Sequence, residues 1–268
     1  MEIAYKFARW YGRFFARPSL ISFNKFLVHL GMRGLGVYNF GDFFVSGESN
    51  FLNQYLSSVE QPIIFDVGAN TGSYGLLCQQ INPNSQIFCF EPHPQTFSLL
   101  QKEVQNNNNI HSFNLGLSNK SGILNLYDYQ DNRNSRHATL CANVIETVAN
   151  QKSTKFEVQV STVDCIILEQ NIKKIHLLKV DVEGHDLQVL QGAKSAIANN
   201  IVQAIQFEFT KNNSTAKVFM KDFFDLLAKD FMLYRMLPYG LLPLNQYNPS
   251  IHEIFAYQNI ICLRKIEQ

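Results

Sequence analysis

The sequence has few charged residues and almost no net charge. Of its 268 residues 17% are charged, and 23 basic residues face 22 acidic ones, which leaves a net charge of +1. A disordered chain combines high charge with low hydrophobicity, so a hydrophobic fraction of 46% excludes that class. Domains that bind nucleic acid are usually basic, and we therefore expect no nucleic-acid partner.

Paired cysteines and long apolar runs are also missing. The sequence contains no CxxC pair, which predicts free thiols in a reducing compartment at Cys78, Cys89, Cys141, Cys165 and Cys262. No apolar stretch approaches the ~20 residues that a membrane-spanning helix needs. Basic residues interrupt every N-terminal apolar run, which argues against a signal peptide. These absences predict a cytoplasmic protein.

The N-terminal segment departs from this neutral average. It sets one acid, Glu2, against the basic residues Lys6, Arg9, Arg13, Arg17, Lys25 and Arg33. Aromatic residues lie between these charges, which suits a helix with one apolar side. We interpret residues 1–58 as a helical extension that forms a lid over a domain at 59–268. The alternative is peripheral contact with a membrane, because basic helices with aromatic residues can lie in membrane interfaces.

From residue 61 onward, short apolar runs alternate with amphipathic stretches. The runs predict strands at 62–65, 86–90, 110–114, 123–127, 156–160, 175–180, 201–209, 231–237 and 253–263. Helices are predicted at 74–81, 94–105, 163–170, 187–198 and 216–229, with a polar loop at 128–155. This alternation predicts an α/β fold with a doubly wound, mostly parallel sheet and helices on both faces.

Acidic residues lie at the ends of four predicted strands: Asp66, Glu91, Asp181 and Glu208. Doubly wound sheets bind ligands in the crevice at the carboxyl ends of their strands. The coincidence predicts that the functional site lies at this edge of the sheet.

A glycine turn follows the first strand. Gly68 and Gly72 have the spacing G-x-x-x-G, which is neither the dinucleotide motif G-x-G-x-x-G nor a phosphate-binding loop with its lysine. Glu91 ends the second strand, where a carboxylate can accept both hydroxyls of a ribose. The pattern favours a nucleoside without phosphates, such as S-adenosylmethionine, over an ordinary strand–helix turn with a capping glutamate.

Three motifs together resemble the FkbM family of methyltransferases: Asp66-Val67-Gly68-Ala69-Asn70-Thr71-Gly72, Phe90-Glu91-Pro92 and Leu178-Lys179-Val180-Asp181-Val182-Glu183-Gly184. The resemblance covers roughly residues 46–209. It implies a class I enzyme that uses S-adenosylmethionine to methylate hydroxyls of sugars, polyketides and related natural products. It also implies a Rossmann-like sheet of seven strands, preceded here by the N-terminal helical extension.

The resemblance further implies roles for individual residues. Asp66, Gly68 and Asn70, in the turn that ends at Gly72, would hold the methionine part of the cofactor, and Glu91 its ribose. Residues around Leu117 would border the adenine. Glu48 would close the site over the amino acid end of the cofactor.

A second group of charged residues is expected where the methyl group is transferred. Lys179 interrupts an apolar strand on the same face as Asp181, and a buried lysine usually has a carboxylate partner. The neighbouring strand offers Glu208. We expect these three side chains to form a cluster, with Glu183 and His185 just beyond it. The alternative is an ion pair of Lys179 and Glu208 that only orients loops.

An alcohol is a weak nucleophile, so O-methylation needs a group that removes the hydroxyl proton. The candidates are His185 and Asp181, with His137 as a further candidate in the loop at 128–155. Alternatively Asp181, Glu183 and Glu208 would hold Mg²⁺, which we do not favour because D-x-E spacing alone is weak evidence.

The leading hypothesis is therefore an O-methyltransferase whose partner is a saccharide, glycolipid or other natural-product acceptor. The alternatives are a nicotinamide-dependent oxidoreductase on the same type of sheet, and a catalytically inert cofactor-binding subunit. The missing G-x-G-x-x-G argues against the oxidoreductase.

Overall fold

The structure is a computed structural model and describes residues 2–129 and 153–266. Its strands are β1 Ile63–Val67, β2 Gln86–Phe90, β3 Ile110–Phe113, β4 Gly116–Leu117, β5 Gly122–Tyr129, β6 Ser153–Ser161, β7 Ile175–Val180, β8 Val202–Phe209, β9 Phe231–Leu237, β10 Gly240–Pro243 and β11 Gln258–Arg264.

Its helices are α1 Glu2–Phe15, α2 Ile21–Gly34, α3 Phe43–Ser46, α4 Glu48–Leu56, α5 Ser73–Ile81, α6 Pro94–Val104, α7 Val163–Glu169, α8 Asp186–Gln191, α9 Lys194–Ala198, α10 Lys211–Ala216, α11 Met220–Leu227 and α12 Pro249–His252.

The main sheet is doubly wound and mostly parallel, as the alternating pattern predicted. Its order is β10-β9-β11-β8-β7-β1-β2-β3, and the five strands from β8 to β3 are parallel. Strand β11 runs antiparallel to both β8 and β9. The expected number of seven strands is wrong, because β10 adds an eighth by pairing antiparallel with β9. This edge strand has four residues, is only partly buried and ends in a proline, so it has no periodic signal.

Two of the predicted strands belong to a separate small sheet. In this sheet the order is β4-β6-β5, and β5 pairs antiparallel with β6 along its whole length. The predicted loop at 128–155 is therefore shorter at both ends, because β5 and β6 extend into it. Residues 130–152, which include His137 and Cys141, lie outside the described residues.

Two predicted helices differ from those of the structure, one by an interruption and one by a later start. The helix expected at 187–198 is divided into α8 and α9, which are separated at Gly192 and Ala193. The helix expected at 216–229 begins only at Met220, because Lys217 adopts a left-handed conformation (φ 56°) that ends α10.

The main sheet is buried on both faces, which explains why its strands are almost continuously apolar. Along β1 and β7 the side chains alternate between two cores. Phe65 and Leu178 pack with α7, α8, α9 and α11 on one face. On the other face Ile64 and Leu177 pack with α4, α5 and α6. The layer formed by α4 to α6 covers the face on which the polar residues described below appear.

The N-terminal helices α1 and α2 are exposed, and the chain becomes buried directly after them. Neither α1 nor α2 contains a buried residue, and burial begins at Gly36. The guanidinium of Arg235, itself buried, donates from Nη1 to the carbonyl of Leu35 at 3.2 Å and from Nε to Gln258 at 2.7 Å. The change in burial therefore precedes residue 58, and α4 is part of the main body.

A close approach between the turn that joins α8 to α9 and the end of β4 depends on Gly192. A Cβ at this position would lie 2.0 Å from the carbonyl oxygen of Ser118, which follows β4. We expect Gly192→Ala to lower the free energy of unfolding by about 1–3 kcal/mol, because backbone must move to admit the methyl group. Chemical denaturation monitored by circular dichroism measures this change.

The matched control is Gly31→Ala in α2, where a Cβ meets no atom within 4 Å. This exposed helical position should gain up to about 1 kcal/mol from the better helix propensity of alanine. Equal stability of the Gly192→Ala variant and the wild-type protein would contradict the packing described for this contact.

Candidate functional site

A row of polar side chains crosses one face of the sheet near the carboxyl ends of its strands. Asp66 in β1 pairs in register with Lys179 in β7, and Lys179 pairs with Gln206 in β8. All three side chains are buried in the layer that α4 and α5 cover. Buried polar side chains need hydrogen-bond or charge partners, so these three residues restrict which side chains can surround them.

Lys179 lies at the centre of this row. Its Nζ is 3.4 Å from Asp66 Oδ1 and 3.2 Å from Asp181 Oδ2, and it lies 5.0 Å from the centre of the Tyr74 ring. Burial alone would lower the pKa of this lysine, but the surrounding carboxylates, Asp181 first, raise it above its usual value. Lys179 is therefore the permanent positive charge of the site.

Hydrogen bonds extend the row to Glu48. Gln206 donates to Glu48 Oε1 at 2.7 Å and accepts from the Tyr74 hydroxyl at 2.8 Å. The Ser46 hydroxyl donates to Glu48 Oε2 at 2.9 Å. Burial raises the pKa of Glu48, and Lys179 partly opposes that shift. Helix α4 thus contributes a carboxyl group to the site at its first residue.

Glu208 occupies the next position on the same face of β8. Its Oε1 accepts from the hydroxyl of Tyr257 at 2.8 Å. Burial and the nearby Asp181 raise the pKa of Glu208 well above its usual value. Asp181, at the end of β7, keeps 31% of its side-chain surface exposed. Two carboxyl groups that both act on the charge of Lys179 therefore line the cavity.

Several of these side chains line a cavity of about 1060 Å³ at the carboxyl ends of β1, β7 and β8. Its volume is at the upper end of the range for sites of small ligands, so it can hold a cofactor together with a second molecule. The wall includes seven of the predicted site residues: Glu48, Gly68, Asn70, Lys179, Asp181, Glu183 and Glu208. Ala69 and Thr71, from the same loop as Asn70, also belong to the wall.

Glu91 does not line the cavity, but its carboxylate binds the loop Gly68 to Thr71, which does. Its Oε2 accepts from the backbone N–H of Asn70 at 3.0 Å and its Oε1 from that of His93 at 2.8 Å. Burial raises the pKa of Glu91 to about 7. The carboxyl group therefore changes its charge near neutral pH while it accepts a hydrogen bond from the glycine loop.

The two predicted glycines have packing reasons for lacking a side chain. Gly68 has φ 81°, and a Cβ on it would lie 1.9 Å from the carbonyl oxygen of Asp181. Gly72 has φ 87°, and its Cβ would lie 2.6 Å from Leu100 in α6. Gly68 thus lets the loop after β1 lie directly against the end of β7, which joins the two halves of the site.

His185 lies away from the cavity wall. It is buried, and its Nε2 is 2.9 Å from the hydroxyl of Ser118, the residue that directly follows β4. Burial lowers the pKa of His185 to about 4, so its imidazole is neutral at physiological pH. Its place at the start of α8 connects that helix to the small sheet, and its role as the base stays a prediction.

The remaining predicted residues have different places relative to the cavity. Glu183, with φ 52°, accepts from Asn212 Nδ2 at 2.7 Å. Leu117 is buried in the core with Phe90 and Val163 rather than at the cavity wall. Asp66 is buried behind Lys179, and His137 lies outside the described residues.

Several wall residues were missed by reasoning from the sequence, namely Tyr74, Asn212 and Tyr257, together with Gln206 behind them. Gln206 had a usable signal, because it precedes Glu208 by two residues and interrupts the same face of an apolar strand. Tyr257 had none, since it reaches the site only through the antiparallel pairing of β11 with β8.

The residues of the cavity fit S-adenosylmethionine better than they fit a metal ion. The loop Gly68 to Thr71 offers backbone hydrogen-bonding groups, and the acidic side chains in the same wall attract a cationic sulfonium. In residues 2–129 and 153–266, no group of three or more histidine, cysteine or acidic side chains is arranged to hold a metal. Lys179 already places a positive charge among the carboxylates.

Curated relatives align with the central part of the chain. Methyltransferase 1 of Beauveria bassiana is 30% identical over 146 residues, which are 50% of this chain and 59% of that protein. The hexuronic acid methyltransferase AglP of Haloferax volcanii is 27% identical, over 56% of this chain and 58% of its own. The 2-O-methyltransferase NoeI of Sinorhizobium fredii is 23% identical, over 54% and 63%. The chain thus spans about six tenths of the length of these relatives.

Solved structures also align with this chain, at low sequence identity. The precorrin-6y C5,15-methyltransferase of Geobacter metallireducens aligns with a TM-score of 0.43 and 10% identity, over 85% of this chain and 94% of that one.

The family model described as the methyltransferase FkbM domain matches residues 66–236. This range begins at the carboxylate that contacts Lys179 and contains the glycine loop, Glu91, Asp181 and Glu208. It covers more than half of the chain, which therefore belongs to the FkbM family of methyltransferases.

Proposed function

We propose that the protein is an S-adenosylmethionine-dependent O-methyltransferase that acts on a hydroxyl of a saccharide, glycolipid or other natural product. One observation carries the proposal: a single cavity joins the loop Gly68 to Thr71 on one side with Asp181 and Glu208 on the other. Membership of a methyltransferase family favours this function over a nicotinamide-dependent oxidoreductase or an inert cofactor-binding subunit.

The first half of the cavity would hold the cofactor, which supplies an electrophilic methyl group when bound. Backbone of Gly68 and Asn70 would contact its methionine part, and the carboxyl group of Glu48 would lie over its amino acid end. Glu91 would accept the ribose hydroxyls while it continues to hold the N–H of Asn70. Each carboxylate oxygen has more than one lone pair, so both functions are compatible.

The second half would hold the acceptor hydroxyl. Asp181 is the proposed proton acceptor, because its carboxylate lines the cavity and is partly exposed. The ammonium of Lys179 holds this carboxylate in place at 3.2 Å. Glu208 is the alternative acceptor of the proton, since its raised pKa makes it the stronger base once it is ionised.

The acceptor class follows from the remaining wall. Thr210, Lys211 and Asn212 present hydrogen-bonding groups beside the aromatic residues Phe43 and Phe255. Hydroxyl-rich rings with apolar faces match such a mixture of polar and aromatic contacts. The names of two relatives, a hexuronic acid methyltransferase and a 2-O-methyltransferase, support a sugar hydroxyl as the acceptor.

Glu91 should make cofactor binding depend on pH. Its carboxyl group must be ionised to accept two hydroxyls, and its pKa is about 7. The affinity for S-adenosylhomocysteine should therefore increase as the pH rises from about 6 to about 8. Glu91→Gln should weaken binding at the higher pH by about 1–3 kcal/mol and remove the dependence. Isothermal titration calorimetry measures both effects.

The matched control for this prediction is Glu103→Gln, an exposed acid in the neighbouring helix α6. This variant should keep the affinity and the pH dependence of the wild-type protein. Unchanged affinity in Glu91→Gln across the same pH range would remove Glu91 from the proposed cofactor site.

Replacement of the proposed base should affect turnover rather than cofactor binding. We expect Asp181→Asn to reduce kcat by about 10²-fold or more, because the amide cannot take the hydroxyl proton. The affinity for S-adenosylhomocysteine should stay within about threefold of the wild-type value. Glu208→Gln and His185→Gln are measured alongside it with the same acceptor. A larger loss of kcat in either of these, in a folded variant, would move the role of base to that residue.

Catalysis should not require a divalent metal. Dialysis of the enzyme against EDTA is expected to leave turnover unchanged, because Lys179 already provides the positive charge beside Asp181. The control is dialysis against the same buffer without chelator. Turnover that disappears with EDTA and returns with Mg²⁺ would contradict this expectation and assign Asp181, Glu183 and Glu208 as metal ligands.

A further inference from the structure

The first two helices expose an unusual amount of aromatic surface. On α1 the residues Ile3, Phe7, Trp10 and Phe14 are between 45% and 86% exposed. On α2 the exposed apolar residues include Phe23, Phe26, Leu27 and Leu30, at 39% to 56%. We call these eight residues the apolar stripe. Within the described residues no other pair of helices lacks buried side chains in this way.

The stripe follows from helical periodicity. The four residues of α1 recur at intervals of four, three and four, which places them along one side of the helix. The basic residues Lys6, Arg9 and Arg13 recur at intervals of three and four and lie about a quarter turn around the helix from the apolar residues. Helix α1 therefore has one aromatic face and one cationic face, and neither face is covered by the main body.

Ring contacts make the surface continuous between the two helices. The ring centres of Phe7 and Trp10 are 5.6 Å apart, and those of Trp10 and Phe15 are 5.7 Å apart. Phe15 in turn lies 6.3 Å from Phe23 at the start of α2. A row of aromatic rings thus extends from α1 into α2.

Polar contacts keep the two helices in this arrangement. Asn24 of α2 accepts from the hydroxyl of Tyr11 and donates to the carbonyl of Phe15 at 2.9 Å. Tyr11 stacks on Phe15 with ring centres 4.9 Å apart. These contacts hold the two helices together near the turn that joins them. We call α1 and α2, with that turn, the hairpin.

We propose that this helical hairpin docks on an anionic membrane surface, with α1 and α2 lying in the plane of the interface. The apolar stripe would enter the boundary between headgroups and acyl chains, and the basic residues would contact anionic headgroups. Charge complementarity selects this partner, because six basic residues accompany the stripe and one acid, Glu2, opposes them. That acid is already paired with Lys6 at 2.8 Å.

Other occupants of the surface fit the charge less well. A second copy of the chain would bring its own basic residues against this cationic hairpin, and like charges would face each other. The hairpin also does not insert across the bilayer as a span, because none of the helices in the described residues is long and apolar enough for that. A shallow interfacial position is the arrangement that uses both faces of α1.

The hairpin leads directly to the candidate site. Arg235 fixes the carbonyl of Leu35 at its end, and Tyr38, Gly41 and Phe43 of the following segment line the cavity. Docking of the hairpin would therefore bring the cavity close to the membrane surface. This proposal concerns binding alone and does not depend on the proposed methyl transfer.

Vesicle flotation of the full chain tests the proposal. Vesicles of phosphatidylglycerol mixed with phosphatidylcholine should carry the protein to the top of a density gradient, and vesicles of phosphatidylcholine alone should carry far less. Added salt should weaken the binding, because it screens the basic residues. Absence of flotation with the anionic vesicles at low salt would overturn the proposal.

Variants separate the two parts of the surface. Replacement of Phe7 and Trp10 together by serine should weaken binding by more than about tenfold. Replacement of Arg9 and Arg13 together by glutamine should weaken it about thirtyfold. These side chains are exposed, so the melting temperature should not change and a loss of binding would not reflect unfolding.

Two matched controls lie elsewhere on the surface. Tyr239→Ser removes an aromatic ring that is 96% exposed in the turn before β10, and Lys173→Gln with Lys174→Gln removes two exposed charges. Both controls should float like the wild-type protein. Equal losses in the controls would show nonspecific attraction and contradict docking through the hairpin. A dimer in light scattering that dissociates in the Phe7 and Trp10 variant, without flotation, would assign the stripe to a second copy instead.

Discussion

The buried ammonium of Lys179 is the constraint on which the rest of the site depends. A charge in the interior of a sheet must be paired, and removal of one partner from such a pair typically costs about 3–5 kcal/mol. Asp66 and Asp181 meet this need directly, from the strand beside Lys179 and from the end of its own strand. The carboxyl ends of β1 and β7 are therefore held together by the same interaction that places negative charge at the cavity.

Backbone contacts connect the two halves of the cavity more firmly than side chains alone would. Gly68 lies against the carbonyl of Asp181, where no larger residue fits, and Glu91 holds the N–H of Asn70. A loop fixed in this way is preorganised, so a ligand bound there would not have to order it. The same contacts place that loop next to Asp181, the carboxylate proposed to receive the acceptor proton.

The near-zero net charge of the chain conceals two regions of opposite character. The N-terminal hairpin is cationic and exposed, whereas four carboxyl groups of the main body surround one buried lysine. Burial raises the pKa values of Glu48, Asp66, Glu91 and Glu208. These carboxyl groups therefore ionise less readily than exposed ones. At the hairpin the positive charges stay in water, where they can meet a partner.

Local patterns in the sequence determined the alternation of strands and helices, the burial of the sheet on both faces and the acids at strand ends. These features depend on periodicity and on residues close in the chain, which a sequence displays directly. Only the tertiary structure decided that His185 contacts Ser118 rather than the cavity, that Tyr257 reaches Glu208, and that β10 extends the sheet. Such contacts arise from pairing between distant segments, and no local pattern encodes which segments will meet.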